Sequence, residues 1–346
     1  MRLLLATDAW APQVNGVVRT YENTCAELKR MGNEVEVIQP QLFKTFPCPT
    51  YPDIKLAMFP RKHIAEIIPR FGPDAIHIAT EGPIGYATRA YCMDNNIPFT
   101  TSFHTQFPEY VRMRAPVPMN VSYSLFRRFH STACRTMVPT DSQRQKLLDR
   151  GFKNVVIWSR GVNTEIFKPY KEKPYQLPGP VFLYMGRVAV EKNIGAFLDL
   201  DLPGSKVVVG DGPDLLKLKK RHKDVLFTGF KFGRELAEHI SAADVFVFPS
   251  LTDTFGIVLL EAMACGVPVA AFPVTGPIDV VTNGITGVLD QDLGKAARAA
   301  LELNPQDCIN FAQQRTWHAC TQSFLRHLQP AHRERIYTGN RLSVEY

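Results

Sequence analysis

No stretch of eighteen apolar residues occurs in the 346-residue sequence, so none of it reads as a membrane-spanning helix. CxxC spacing is missing too. The seven cysteines (Cys25, Cys48, Cys92, Cys134, Cys265, Cys308 and Cys320) are scattered and odd in number, which argues against a zinc site or a disulfide framework and for a reducing compartment. Low-complexity tracts and internal repeats are absent. So are zinc-finger spacing, an aromatic RNA-binding strand and a basic tail, which disfavours a nucleic-acid-binding module. The opening MRLLLATDAW starts like a secretory leader, but Asp8 interrupts the apolar run, and a buried first strand is expected instead.

What is present has globular proportions. Hydrophobic residues make up 45% and charged residues 21%, and the length suits two α/β domains better than one core. The net charge of +7 is lopsided: residues 1–164 carry 20 Lys/Arg against 13 Asp/Glu, and the remainder 20 against 20. A basic first half suits an anionic partner, whether nucleic acid, acidic lipid headgroups or a phosphorylated ligand.

Short β-branched runs alternate with helical segments twice along the chain. RLLLAT, EVEVIQP, DAIHIA, IPFTTSFH, RTMVPT and NVVIWSRG read as strands of a first parallel sheet. VFLYMG, KVVVG, VLFTG, DVFVFPS and VPVAAF read as a second, after the proline-rich FKPYKEKPYQLPGP. The expected organisation is two Rossmann-like doubly wound domains, 1–168 and 181–305, joined by a linker at 169–180, with a helical segment at 306–346 returning toward the first. Ligands of such sheets lie beyond the carboxyl ends of the strands, in the cleft between the domains.

The segment SLTDTFGIVLLEAMACGVPVAAF, residues 250–272, places Asp253 after a strand and Glu261 inside the following helix. The helix start, Phe255, Gly256, Ile257 and Val258, offers N–H groups without intrahelical partners, suited to phosphate oxygens. Carboxylates on either side of an anion site suit a ligand with a charged middle and hydroxyls at both ends, as in a nucleotide-sugar. Arg187 and Lys192, in YMGRVAVEKN, add a planar fork and a compact charge beyond another strand. Gly16, in PQVNGVV, follows the first strand, and His104 ends IPFTTSFH. Gly210 and Gly212 make a turn after a strand in VVVGDGPDL, a position expected to border a nucleotide base, and Phe230 and Lys231 in FTGFKFGREL lie where backbone contacts to that base are expected. Ordinary turn chemistry accounts for both as well. Asp211 and Asp214 make no octahedral set, so no metal is expected.

TDTFGIVLLEAMACGVPV resembles the acidic-pair signature of the retaining glycosyltransferases of family four, which have the GT-B fold of two Rossmann-like domains. NGVVRT, TSFHTQFPEY, SRGVNTEIFKP and GRVAVEKN match further stretches in order, so the resemblance covers nearly the whole chain. Its variants look most like the branch of diacylglycerol glycosyltransferases (sulfoquinovosyl, glucosyl, glucuronosyl) and GDP-mannose-dependent mannosyltransferases. The resemblance implies that Asn15, Gly16, Arg187, Lys192, Asp253 and Glu261 hold the donor, Glu261 through its ribose, and that His104 hydrogen-bonds the sugar at the reacting centre. His104, Asp253, Arg187 and Lys192 are the implied catalytic set. The implied chemistry is front-face transfer of a hexose from a UDP- or GDP-sugar, with retention and without a cofactor. Asp253 departs from the commonest pattern, which has glutamate there.

Residues 109–130 mix Arg112, Arg114, Arg127 and Arg128 with bulky apolar groups, which suits an anionic membrane surface as well as a core helix with a basic edge. The expectation is a lipid acceptor, diacylglycerol or a glycolipid, and a peripheral enzyme on the cytoplasmic face of the inner membrane. A non-lipid glycan acceptor, a sugar phosphorylase and a nucleotide-sugar epimerase remain the alternatives.

Overall fold

A computed structural model describes residues 1–13, 15–48, 51–104, 106, 109, 112 and 118–331. The first domain opens with β1 (Arg2–Ala6), α1 (Gly16–Arg30) and β2 (Glu34–Ile38). A hairpin, β3 (Thr45–Cys48) and β4 (Tyr51–Ala57), precedes α2 (Arg61–Phe71), β5 (Ala75–Ile78) and α3 (Pro83–Asp94). Then come β6 (Thr100–Ser102), α4 (Met119–His130), β7 (Arg135–Val138), α5 (Asp141–Asp149) and β8 (Val155–Ile157). Its sheet runs β2-β1-β5-β6-β7-β8, all parallel. β1 shows why: Leu3 and Leu5 enter one core cluster and Leu4 and Ala6 another, so both faces are covered and an unbroken apolar run is stable only as an interior strand.

The second domain repeats the plan with β9 (Val181–Met185), α6 (Ile194–Leu198), β10 (Ser205–Val209), α7 (Leu215–Arg221), β11 (Leu226–Gly229) and α8 (Gly233–Ser241). It continues with β12 (Val245–Phe248), α9 (Ile257–Ala264), β13 (Val269–Ala271), α10 (Pro277–Val280), β14 (Gly287–Leu289) and α11 (Leu293–Ala300). The order β11-β10-β9-β12-β13-β14 is again parallel. In each sheet the chain first winds outward from one central strand and then returns to wind the other way. The two switch points lie between β1 and β5 and between β9 and β12.

Several expectations need correction. Residues 169–180 are not a free spacer: Tyr170, Tyr175 and Leu177 lie against the second core, and the Tyr175 hydroxyl donates to the His239 carbonyl at 2.8 Å. Val162 and Phe167 already belong to that core, so the chain leaves the first domain before residue 162 rather than after 168. The returning segment is two helices, α12 (Pro305–Gln313) and α13 (Trp317–His327). Cys308 and Ala312 of α12 pack in the second domain, while Trp317 and Phe324 of α13 join Leu3, Leu5, Tyr21 and Trp158 in the first. The hairpin β3–β4 was unforeseen because Pro47, Pro52 and Asp53 mask its alternation, and β14 because three residues carry no period.

Candidate active site

A cavity of about 630 Å³ lies between the domains, at both switch points. The segments after β1 and β5, including the start of α1, bring Asp8, Asn15, Gly16, Arg19 and Glu81 to it, and those after β9 and β12, including the start of α9, bring Gly186, Arg187, Lys192 and the run Thr252–Val258. His104 follows β6 and also lines it, as do Phe230 and Lys231. Of the residues expected to hold the donor or act in catalysis, the cavity therefore gathers all but Gly210, Gly212 and Glu261.

On the second domain's wall Lys192 Nζ donates to Asp253 Oδ1 at 2.6 Å. Asp253 Oδ2 and the hydroxyls of Ser250 and Thr252 are buried without a hydrogen-bonding partner. A buried oxygen left so costs about 1–3 kcal/mol, so these atoms favour a ligand that completes them. Gly256 takes φ +80 at the cap of α9, a left-handed conformation that aims the helix start at the cavity. A Cβ on Gly16 would meet nothing within 4 Å, so that backbone stays open to a ligand from the facing domain. Phe230 stacks on Phe232 at 5.9 Å, and Lys231 pairs with Glu235 at 2.5 Å.

Glu261 is 4% exposed and faces Arg19 of α1, whose Nη1 donates to Oε1 at 2.8 Å across the cleft. Burial raises its carboxyl above the usual range and Arg19 offsets only part of that. Of the two oxygens of Glu261, the residue expected to hold the ribose, one is held by Arg19 and Oε2 is buried and unpaired. A Cβ on Gly210 would lie 1.9 Å from the Gly186 carbonyl oxygen, so this glycine permits close backbone approach there, and it does not line the cavity. Asn15 caps α1, its Oδ1 accepting from Val17 and Val18 N–H at 3.0 Å, and its amide donates to Gln13.

Both nitrogens of the His104 ring, expected against the sugar, have partners inside the protein. Nδ1 faces Arg160 Nη2 at 2.9 Å and Nε2 faces the Tyr21 hydroxyl at 2.7 Å. Its backbone carbonyl accepts from Thr254 Oγ1 at 2.6 Å, a bond that ties the domains together. Burial and the Arg160 charge hold the imidazole well below its usual pKa. Asp8 was overlooked as a titrating group in the cleft. Burial pushes its carboxyl up to about 6, although it accepts N–H groups of Ile84 and Gly85 at the start of α3. Arg19, Arg160 and Thr254 lie inside the stretches NGVVRT, SRGVNTEIFKP and TDTFGIVLLEAMACGVPV, but their partners, like those of Tyr21, show only in contact distances. Among the described residues no three His, Cys, Asp or Glu side chains converge as metal ligands.

Residues 14–166 match the family model described as Glycosyltransferase Family 4, and residues 179–304 the one described as Glycosyl transferases group 1. A GDP-mannose-dependent alpha-mannosyltransferase of Mycolicibacterium smegmatis is 30% identical over 320 residues, 84% of each chain. The chain belongs to glycosyltransferase family 4. Sulfoquinovosyl transferase SQD2 of Arabidopsis thaliana is 30% identical to this glycosyltransferase over 80% of its chain and 61% of the relative. The alpha-monoglucosyldiacylglycerol synthase of Streptococcus pneumoniae is 26% identical over 98% and 87%. Among solved structures, Anabaena HepE in complex with UDP and glucose superposes with a TM-score of 0.68 at 15% identity, covering 94% and 98% of the two chains. Sucrose-phosphate synthase from Thermosynechococcus elongatus gives 0.69 at 21%, covering 94% and 97%. These likenesses identify the glycosyltransferase's architecture as GT-B.

Proposed function

We propose that the cleft binds a UDP- or GDP-linked hexose and transfers the hexose, with retention, to a hydroxyl of a lipid. The observation that carries this is the Lys192–Asp253 pair, set beside the unpaired oxygens of Thr252 and Asp253 and the start of α9. Arg187, Lys192 and the helix start receive the diphosphate. They stabilise it most as the glycosidic bond breaks and charge builds on the leaving oxygen. Asp253 Oδ2 accepts from sugar hydroxyls, and Glu261 Oε2 accepts from the ribose once Arg19 yields. Gly16 brings backbone N–H to the diphosphate from the other domain, so donor binding draws the domains together. The acceptor hydroxyl enters on the departing face and passes its proton to the leaving phosphate oxygen. The fixed cations supply the positive charge that a metal would otherwise bring, so EDTA should leave the rate unchanged.

The lipid part of the reading is supported by one face of the first domain. Phe59 is 88% exposed and Tyr86, Val121 and Leu125 are about half exposed, amid Arg61, Arg89, Arg127 and Arg128. Arg89 ties α3 to the end of α4 by donating to the Phe129 and Arg128 carbonyls. Apolar tips ringed by cations suit an anionic bilayer. Arg112 is exposed as well, and Arg114 lies outside the described residues. No helix among the described residues is long and apolar enough to cross a membrane. On this proposal the enzyme is peripheral, on the cytoplasmic face of the inner membrane. One relative, the alpha-monoglucosyldiacylglycerol synthase, is named for a glycosylated lipid, which supports this choice of acceptor.

The test is incubation of the purified protein with a panel of UDP- and GDP-sugars and a lipid extract, with products identified by mass spectrometry. A hexosyl lipid is expected. Phosphorolysis, an epimerised donor or a purely soluble glycan product would overturn the reading.

A further inference from the structure

Arg160 is a buried cation with an unusual set of partners. It is 4% exposed, lines the cleft, and pairs with no carboxylate among the described residues. Nη1 donates to the Trp158 and Ser159 carbonyls, the guanidinium lies 4.4 Å from the Trp158 ring centre, and Nη2 reaches His104 Nδ1 at 2.9 Å. A guanidinium has only donors. His104 Nδ1 must therefore be the lone-pair nitrogen, and the ring proton sits on Nε2, where it is given to the Tyr21 oxygen at 2.7 Å. Tyr21, receiving that proton, passes its own toward His77 Nε2 at 2.8 Å, and His77 Nδ1 meets Thr100 Oγ1 at 2.8 Å. The chain of bonds acquires a direction, and Arg160 sets it.

We infer that Arg160 is a positioning residue that locks His104 in the Nε2–H tautomer, leaving neither ring nitrogen open to a substrate proton. His104 then shapes the wall of the cleft with its ring edge and backbone and serves as neither base nor nucleophile. The groups acting on the ring are Arg160, Tyr21, His77 and His130, and Glu81 lies one step beyond, paired with His130 Nε2 at 3.0 Å. The kinetic consequence rests on the glycosyl-transfer reading; the tautomer does not.

The experiment is two-bond 1H–15N correlation on the full chain labelled with 15N-histidine, with the His104 signals assigned by their loss in His104→Gln. A pyridine-like Nδ1 and a pyrrole-like Nε2 are expected, unchanged as the pH falls through the ordinary imidazole range. Tyr21→Phe should keep that pattern, because it removes only the acceptor of the proton. Arg160→Met should lose it and let the ring titrate in the ordinary imidazole range, and Arg160→Lys should restore it in part. With donor and acceptor, Arg160→Met should lower kcat by about 10²-fold with little change in donor KM, as a misplaced wall does. An Nδ1–H or doubly protonated His104 in the wild type would overturn the inference even if Arg160→Met fails to fold. So would an Arg160→Met spectrum identical to wild type.

Discussion

Asp253 and Lys192 are sixty-one positions apart in sequence and 2.6 Å apart in space, yet each was legible because each follows a strand end within a short local pattern. Asp253→Asn and Lys192→Ala should each lower kcat by about 10²-fold, with the thermal midpoint nearly unchanged because both side chains sit at the cavity edge. Near-normal turnover in either variant would contradict the roles given them. The roles of Arg19 and Arg160 were not legible, although both lie in matching stretches. Their partners lie 242 and 56 positions away, and an arginine in a helix or loop shows no role until the fold delivers its partner. Asp8 allows a test by pH. Its carboxyl is raised from 3.8 to about 6, so the folded chain holds a proton that the unfolded chain releases between those values. That contribution to stability is full below pH 3.8 and is lost as pH rises through 6, a change of about 3 kcal/mol. Denaturant unfolding of the wild type and Asp8→Asn at pH 4 and pH 7 should show their difference shifting by that amount, with the wild type relatively stronger in acid. A difference independent of pH would contradict it.

Elements were read best where burial on both faces makes a strand continuously apolar, as in β1, β9 and β12. They were read worst where the signal depends on pairing, as in β3–β4, and where one element serves two domains. α13 is such a case: its Trp317 and Phe324 complete a core begun at Leu3, so the first domain depends on residues more than 300 positions downstream. α5 is another. Its N-terminal Ser142 N–H donates to Asp279 Oδ1 of α10 at 3.0 Å, and the Ser142 hydroxyl bonds Oδ2, so one domain caps a helix of the other. Asp279→Ala should release this contact at a cost of about 1 kcal/mol, which favours the open arrangement. Small-angle scattering should then show a larger radius of gyration, and donor KM should rise several-fold with kcat nearly constant. An unchanged radius and KM would mean that the contact does not hold the closed cleft.

At the scale of the whole molecule, a basic first half carrying exposed Phe59 and Tyr86 faces a second half of balanced charge. Sedimentation with anionic vesicles should show binding at low salt that weakens as salt rises through the range where the Debye length falls below about 10 Å. Phe59→Ser combined with Arg61→Ser should reduce it while leaving nucleotide binding intact; binding equal to wild type would remove this face from the account. The two-domain plan itself was readable from the doubled strand rhythm, whereas the closure of the domains was not, since every bond across the cleft joins residues distant in sequence. The most direct measurement of the central claim is titration calorimetry of the wild type and of an Arg187→Ala, Lys192→Ala double variant with UDP and with GDP. The account predicts heat from one of the two nucleotides with the wild type and none with the variant. No heat from either nucleotide, or equal affinity in the variant, would contradict it.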